Sequence, residues 1–182
     1  MSLPVSDLTG LSYTEAAVLA CVGTLRMEGA LESVAGEAGA VESLRVVGRG
    51  VRTVLGRHLG GDMDVDTAAA GFSANWQMGQ EFPDSHALAP FWKAGVRVGF
   101  YAFISVREAG EERLGQCFEM GRKAALAWPR AVAAGTVGSL LELEVARQEE
   151  SLRVVRRAGV AGLRELAEED RRLFRRVTAG PP

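Results

Sequence analysis

A chain of 182 residues, 47% hydrophobic and 24% charged, has the size of one domain around one core. Its net charge of −2 excludes a general nucleic-acid binder, which needs a surplus of basic side chains against phosphate. Cys21 and Cys117 stand alone, so neither a disulfide framework nor a zinc site is available and a reducing compartment is expected. Lysine occurs only at Lys93 and Lys123 while arginine dominates, the usage of a GC-rich genome.

The opening MSLPVSDLTG lacks the basic run and apolar stretch of a signal peptide, and the closing RRLFRRVTAGPP is no membrane anchor. The expectation is a soluble, cytoplasmic protein: a single helical domain over 1–182, with 1–10 and 178–182 as flexible ends. Ser12 and Glu15 form a capping box that opens a first helix over 14–33. Its apolar face is drawn from Ala17, Leu19, Cys21, Leu25 and Leu31. A second helix runs over 40–59. Ala40, Leu44, Val47, Val51 and Leu55 make one stripe on it, Arg45, Arg49 and Arg52 lie off the stripe, and Gly60-Gly61 ends it.

Asp62, Asp64 and Asp66 alternate like the start of a calcium loop. Thr67 then sits where the loop needs glycine and Ser73 where it needs glutamate. Asp66 reads instead as the cap of a third helix over 67–82, which carries Phe72 and Trp76 and brings Gly79 close to its neighbours. Pro83 breaks it, and Pro90 fits the first turn of the next helix.

That next segment, 93–108, is expected to organise the rest. Between Ala94 and Val106 its one charge is Arg97, and it holds Phe100, Tyr101, Phe103 and Ile104. Apolar on every side, it should be buried on every side, yet it is too short to cross a bilayer, which takes roughly 20 apolar residues. Val96, Val98, Phe100, Ala102, Ile104 and Val106 also alternate as a strand would. No partner strand or hairpin turn accompanies them and the flanks read helical, which favours helix. A fifth helix spans 111–128, with Leu114, Phe118, Ala125 and Leu126 inward and Pro129 at its end. Ser139 and Glu142 form a second capping box, and a long charged helix to Val177 is broken by Gly159 and Gly162.

No constellation for chemistry appears. His58 and His86 belong to no ligand-spaced cluster, GRGVRTVLG lies inside a helical pattern and is no phosphate loop, and no nucleophile has a nearby base. No catalytic residue, metal or cofactor is therefore expected. Arg171, Arg172, Arg175 and Arg176 suit a helix C-terminus and are balanced by Glu165, Glu168, Glu169 and Asp170, a solvated face. The repeated Glu-Ser-Leu-Arg-Val-Val at 42–47 and 150–155 has unmatched flanks and carries no repeat.

Two stretches carry a resemblance. AVESLRVVGRGVRTVL (40–55) resembles the third homology motif of the Bcl-2 family of apoptosis regulators. Leu44 and Gly48 match its leucine and small residue, Ala40, Val47 and Val51 its other apolar positions, and Arg49 stands where the acid belongs. GVRVGFYAF (95–103) is similar to the first homology motif, through Gly95, Val98, Phe100, Tyr101 and Phe103. Trp92 and Arg97 stand out of register with the usual lead-in. Residues 67–82 resemble the helix between those motifs. Of the second homology motif only Gly135, Gly138 and 140–143 give a suggestion.

The resemblance implies an all-α bundle around a buried central hydrophobic helix, with binding and no chemistry. An apolar groove would hold the amphipathic death-motif (BH3-type) helices of pro-apoptotic partners. Val47, Val51, Leu55, Phe72, Trp76, Val98 and Phe100 would line it, with Arg97 or Lys93 pairing with the ligand's acid. An anti-apoptotic, viral protein fits the divergent motifs, and the mitochondrial outer membrane surface is the site the family suggests. The alternative is a regulatory or scaffold protein of a GC-rich bacterium that forms homodimers or larger assemblies through 139–177.

Overall fold

The computed structural model describes residues 7–80, 82, 84–129 and 139–179. Gly135 and Gly138, and Pro83, lie outside the described residues. The described residues form seven α-helices and one short 3-10 turn, and no strand occurs among them. The helices are α1 (Tyr13–Glu32), α2 (Val41–His58), α3 (Val65–Met78), α4 (Ala89–Ile104), α5 (Glu111–Leu126), α6 (Leu140–Ala158) and α7 (Leu163–Thr178), with Val160–Gly162 as the turn between the last two. The all-α expectation holds, and 94–104 is helix, not strand.

The centre belongs to a different helix from the one expected. Every residue of α1 from Ala16 to Leu31 is buried, and α1 touches α2, α4, α5, α6 and α7. The expectation for 94–106 is corrected accordingly. α4 lies in the inner layer, but Arg97 and Phe100 face outward and Val106 beyond its end is exposed. Two devices let α1 hold the centre despite its polar residues. Small residues allow neighbours close: a Cβ on Gly29 would lie 2.0 Å from the Arg171 carbonyl oxygen of α7. Charged residues are paired internally, as described below for Arg26 and Glu28.

The local signals behave as their chemistry dictates, with three adjustments. Ser12 and Glu15 make the full capping box. Ser139 accepts from the Glu142 amide, but no bond returns from the Glu142 side chain. The cap of α3 is Asp64, whose carboxylate accepts from the Thr67 amide at 3.0 Å and the Thr67 hydroxyl at 2.7 Å. Asp66 sits two residues further in, within the first turn, because the helix begins at Val65. Gly79 only caps the end of α3. The close approach is made by Gly50 and Gly71 instead: a Cβ on Gly50 would lie 2.9 Å from the Gly71 Cα and 3.0 Å from the Phe103 ring. That crossing clamps α2 to α3. The long C-terminal helix does break at Gly159, whose φ of 67° suits glycine.

α4 is fastened on two sides. Thr24 of α1 donates to the Val98 carbonyl at 3.1 Å, and Trp92 Nε1 donates to the Met78 carbonyl at 2.7 Å. Phe82 packs edge-on against Trp92, 5.4 Å between centroids.

A buried polar seam runs beside α1. The Arg26 side chain is fully buried; its guanidinium donates to Asp170 (2.9 Å), Glu144 (3.3 Å) and Ser151 Oγ (3.0 Å). Arg147 also reaches Asp170, at 2.5 Å, and Gln148 donates to Glu144 at 2.7 Å. Three helices, α1, α6 and α7, are thereby registered against one another. Burial raises the Glu144 carboxyl above its ordinary 4.5, against the opposing pull of Arg26. A raised carboxyl binds its proton more tightly in the folded state, so this group's contribution to stability falls as pH rises from about 4.5 through its folded value. Glu144→Gln is expected to remove that part of the slope, read from denaturation midpoints between pH 4.5 and 8. An unchanged slope would show that Glu144 does not titrate in this window.

Candidate functional site: an aromatic groove beside α4

The exposed large apolar side chains of α3 and α4 gather along one surface. Trp76 is 67% exposed, and Phe72 and Phe100 are each more than a third exposed. Phe72 packs against Phe100 and Phe103, with centroids 6.2 and 6.0 Å apart. Next to them opens a groove of about 600 Å3, lined by Trp76, Gly79, Val96, Phe100, Tyr101 and Met120 along with Asn75, Gln80, Lys93 and Arg97. This volume lies within the roughly 300–1,000 Å3 of ligand pockets. Four aromatic or sulfur-bearing side chains offer area, and two cations stand among them.

The helices explain why these residues are left open. On α4, Phe91, Trp92, Val98, Ala102 and Phe103 are spent on the core, so the remaining face turns outward with Lys93, Arg97 and Phe100 on one strip. On α3, Ala68, Gly71, Asn75 and Met78 pack inward and leave Phe72 and Trp76 facing out. Gly99 is necessary to this arrangement, since a Cβ there would lie 2.4 Å from the Asn75 side-chain oxygen.

The two cations differ. Lys93 pairs with Asp84, a carboxylate almost wholly exposed, and such pairs are worth little. Arg97 makes no ion pair among the described residues. A guanidinium without a carboxylate, held among aromatic rings, is ready to receive one.

Of the residues expected to line a groove, the structure brings Trp76, Phe100, Arg97 and Lys93 together, with Phe72 adjoining. Val47, Val51, Leu55 and Val98 are sealed in the core and line no open surface. The apolar stripe of α2 is consumed by α1 and α3, because the glycine crossing brings α3 too near for a cleft on that side. Tyr101 and Met120 were not foreseen. Tyr101 stood out only as a match to the first homology motif, and Met120 belongs to α5, where only inward residues were read, one of which, Leu126, is 61% exposed.

A second polar cluster looks superficially like a nucleophile and base. Ser105 Oγ lies 3.0 Å from His58 Nε2, and Tyr13 Oη donates to the Ser105 carbonyl at 2.5 Å. The Ser105 hydroxyl proton, however, is given to the Ala102 carbonyl at 2.6 Å. Ser105 therefore accepts from His58, the reverse of what activation requires. Burial lowers the His58 pKa and pushes the Cys21 thiol up to about 12, which keeps both neutral. The cluster ties α1 and α2 to the end of α4.

Among the described residues no group of three or more His, Cys, Asp or Glu could hold a metal ion, and no helix is long and apolar enough to cross a membrane. In comparisons with known proteins the chain matches no family model, no curated protein and no solved structure.

Proposed function

We propose that the protein binds an amphipathic helix in the groove between α3, α4 and α5. The observation that carries this reading is the coincidence of open aromatic surface with Arg97, a cation lacking an ion-pair partner among the described residues. An incoming helix would seat apolar anchors at i, i+3/i+4 and i+7 against Trp76 and Phe100. An acid on the same helix would meet Arg97, with Lys93 released from Asp84 as the second cation. Desolvated aromatic anchors supply most of the affinity in such contacts, and the charge pair fixes direction and register.

The sequence resemblance over 40–55 and 95–103 gives the ligand a class: death-motif helices of pro-apoptotic partners. On this reading the protein is a Bcl-2-like, anti-apoptotic regulator, and the sign follows from capture of those helices. Self-association through the C-terminal helices has less to support it. Leu163, Leu166, Phe174 and Val177 of α7 are already buried, so its apolar stripe is spent inside the molecule.

The test is titration of fluorescent death-motif helices into the purified chain. Saturable binding is expected. Trp76→Ala and Arg97→Glu should each weaken it by at least about tenfold, the size of a single anchor contact. Both positions are exposed, so circular dichroism should be unchanged. Absence of saturable binding for every such peptide would end the proposal.

A further inference from the structure

A second cavity, of about 480 Å3, lies between α2 and α7 and is built mainly of arginine. Five guanidiniums line it, Arg45, Arg49 and Arg52 from α2 and Arg171 and Arg175 from α7, against two carboxylates, Glu28 and Glu32 of α1. The lining thus carries three excess positive charges in a chain whose net charge is −2. Counting Glu42 and Glu168, which pair with these arginines from beside the cavity, an excess of one remains.

The arginines fall into two layers. Arg52 is held by Glu168 at 2.8 Å and by Glu28 at 3.1 Å; Arg171 is held by Glu28 and Glu32. The inner carboxylate is itself cradled: a Cβ on Gly48 would lie 2.3 Å from Glu28 Oε1. This inner layer is internally paired and fixed. The outer layer is not. Arg45 and Arg49 share one carboxylate, Glu42, at 3.2 and 3.5 Å, and all three side chains are about two-thirds exposed. Arg175 reaches Glu32 at 3.3 Å with 64% of its side chain exposed. Pairs so exposed contribute little and yield readily to a stronger anion.

We propose that this cavity binds a phosphate monoester dianion, held between Arg45 and Arg49 on one wall and Arg175 on the other. Three terminal oxygens and a charge near −2 match guanidinium forks arriving from two helices. A carboxylate offers two oxygens and one charge and could answer only one wall. Ala35, Val41 and Leu44 provide the apolar part of the lining, room for the carbon skeleton that bears the phosphate. The site is separate from the aromatic groove and stands whether or not that groove binds helices.

The 182-residue chain is titrated calorimetrically at constant ionic strength with inorganic phosphate and with a capped phosphoserine peptide. The unphosphorylated peptide and acetate serve as controls. One saturable site is expected for both, tightening for the phosphoserine peptide as pH rises through about 6, where the monoester dianion forms, and at a higher pH for inorganic phosphate. Tighter binding of the phosphopeptide would assign the phosphate to a side chain, and equal binding to a free small molecule. Arg45→Gln with Arg49→Gln should weaken binding at least tenfold. Arg153→Gln, which removes an exposed arginine of α6 paired with Glu150, should leave it unchanged. No saturation up to about 10 mM phosphate, weaker than any affinity worth the name, would overturn the proposal. So would equal binding of acetate, or equal weakening by Arg153→Gln.

Discussion

Replacing Arg26 by methionine is expected to lower folding stability by about 3–5 kcal/mol, the cost of leaving buried charges without their partner. Asp170 and Glu144 are almost inaccessible to water and both depend on this guanidinium. Asp170 keeps Arg147, but Glu144 would keep only the Gln148 hydrogen bond and the attraction of Arg122. Exchanging the set together, Arg26→Met with Glu144→Leu and Asp170→Leu, should restore most of the loss, because an apolar core of similar volume needs no compensation. Chemical denaturation of the two variants measures both. If Arg26→Met costs less than about 1 kcal/mol, the range of exposed pairs, then water reaches this seam and the picture of α1 as a sealed axis is wrong. The seam explains why Arg26 can sit in the middle, answered from α6 and α7 away from solvent, while Glu28 is answered by Arg52 and Arg171 at the wall of the arginine cavity.

Gly29→Ala is expected to destabilise the protein by about 2–3 kcal/mol, the range for overpacking against a rigid neighbour. The obstacle is backbone, the Arg171 carbonyl 2.0 Å from the added carbon, so no side chain can swing away. A helix normally gains roughly 1 kcal/mol when glycine becomes alanine, and here the sign should invert. Gly36→Ala is the control, since nothing lies within 4 Å of its Cβ position; it should be near neutral. Thermal unfolding of both would decide. Equal midpoints for the two variants would mean that α7 can ride outward from α1 at little cost.

Much of the architecture was legible, and what was not has one physical cause. Capping residues and glycine breaks act within a few residues, so Ser12 with Glu15, Pro90 and Gly159 placed helix ends close to where they lie. Choosing the central helix requires knowing which charges will be neutralised by distant partners. Nothing near Arg26 and Glu28 in the sequence marks them as buried, because their partners on α6, α7 and α2 are far along the chain. α4, with one charge from Ala94 onward, looked more deeply placed than α1 for the same reason. Its Arg97 in fact marks the face left open. In the candidate groove, Trp76, Phe100, Arg97 and Lys93 were visible as large or charged residues near one apolar run. Val47, Val51 and Leu55 were not distinguishable as core, since a stripe gives a face and not what covers it.

The position of α1 in the chain bears on synthesis. α1 is made before every helix that shelters it, and Glu144 and Asp170, which neutralise Arg26, follow 118 and 144 residues later. At about 5–20 residues per second, a ribosome exposes this helix for many seconds before its last shelter, α7, is translated. The nascent chain should therefore lean on holding chaperones until translation is nearly over. Its final collapse should be slow for a helical protein, as distant contacts make it.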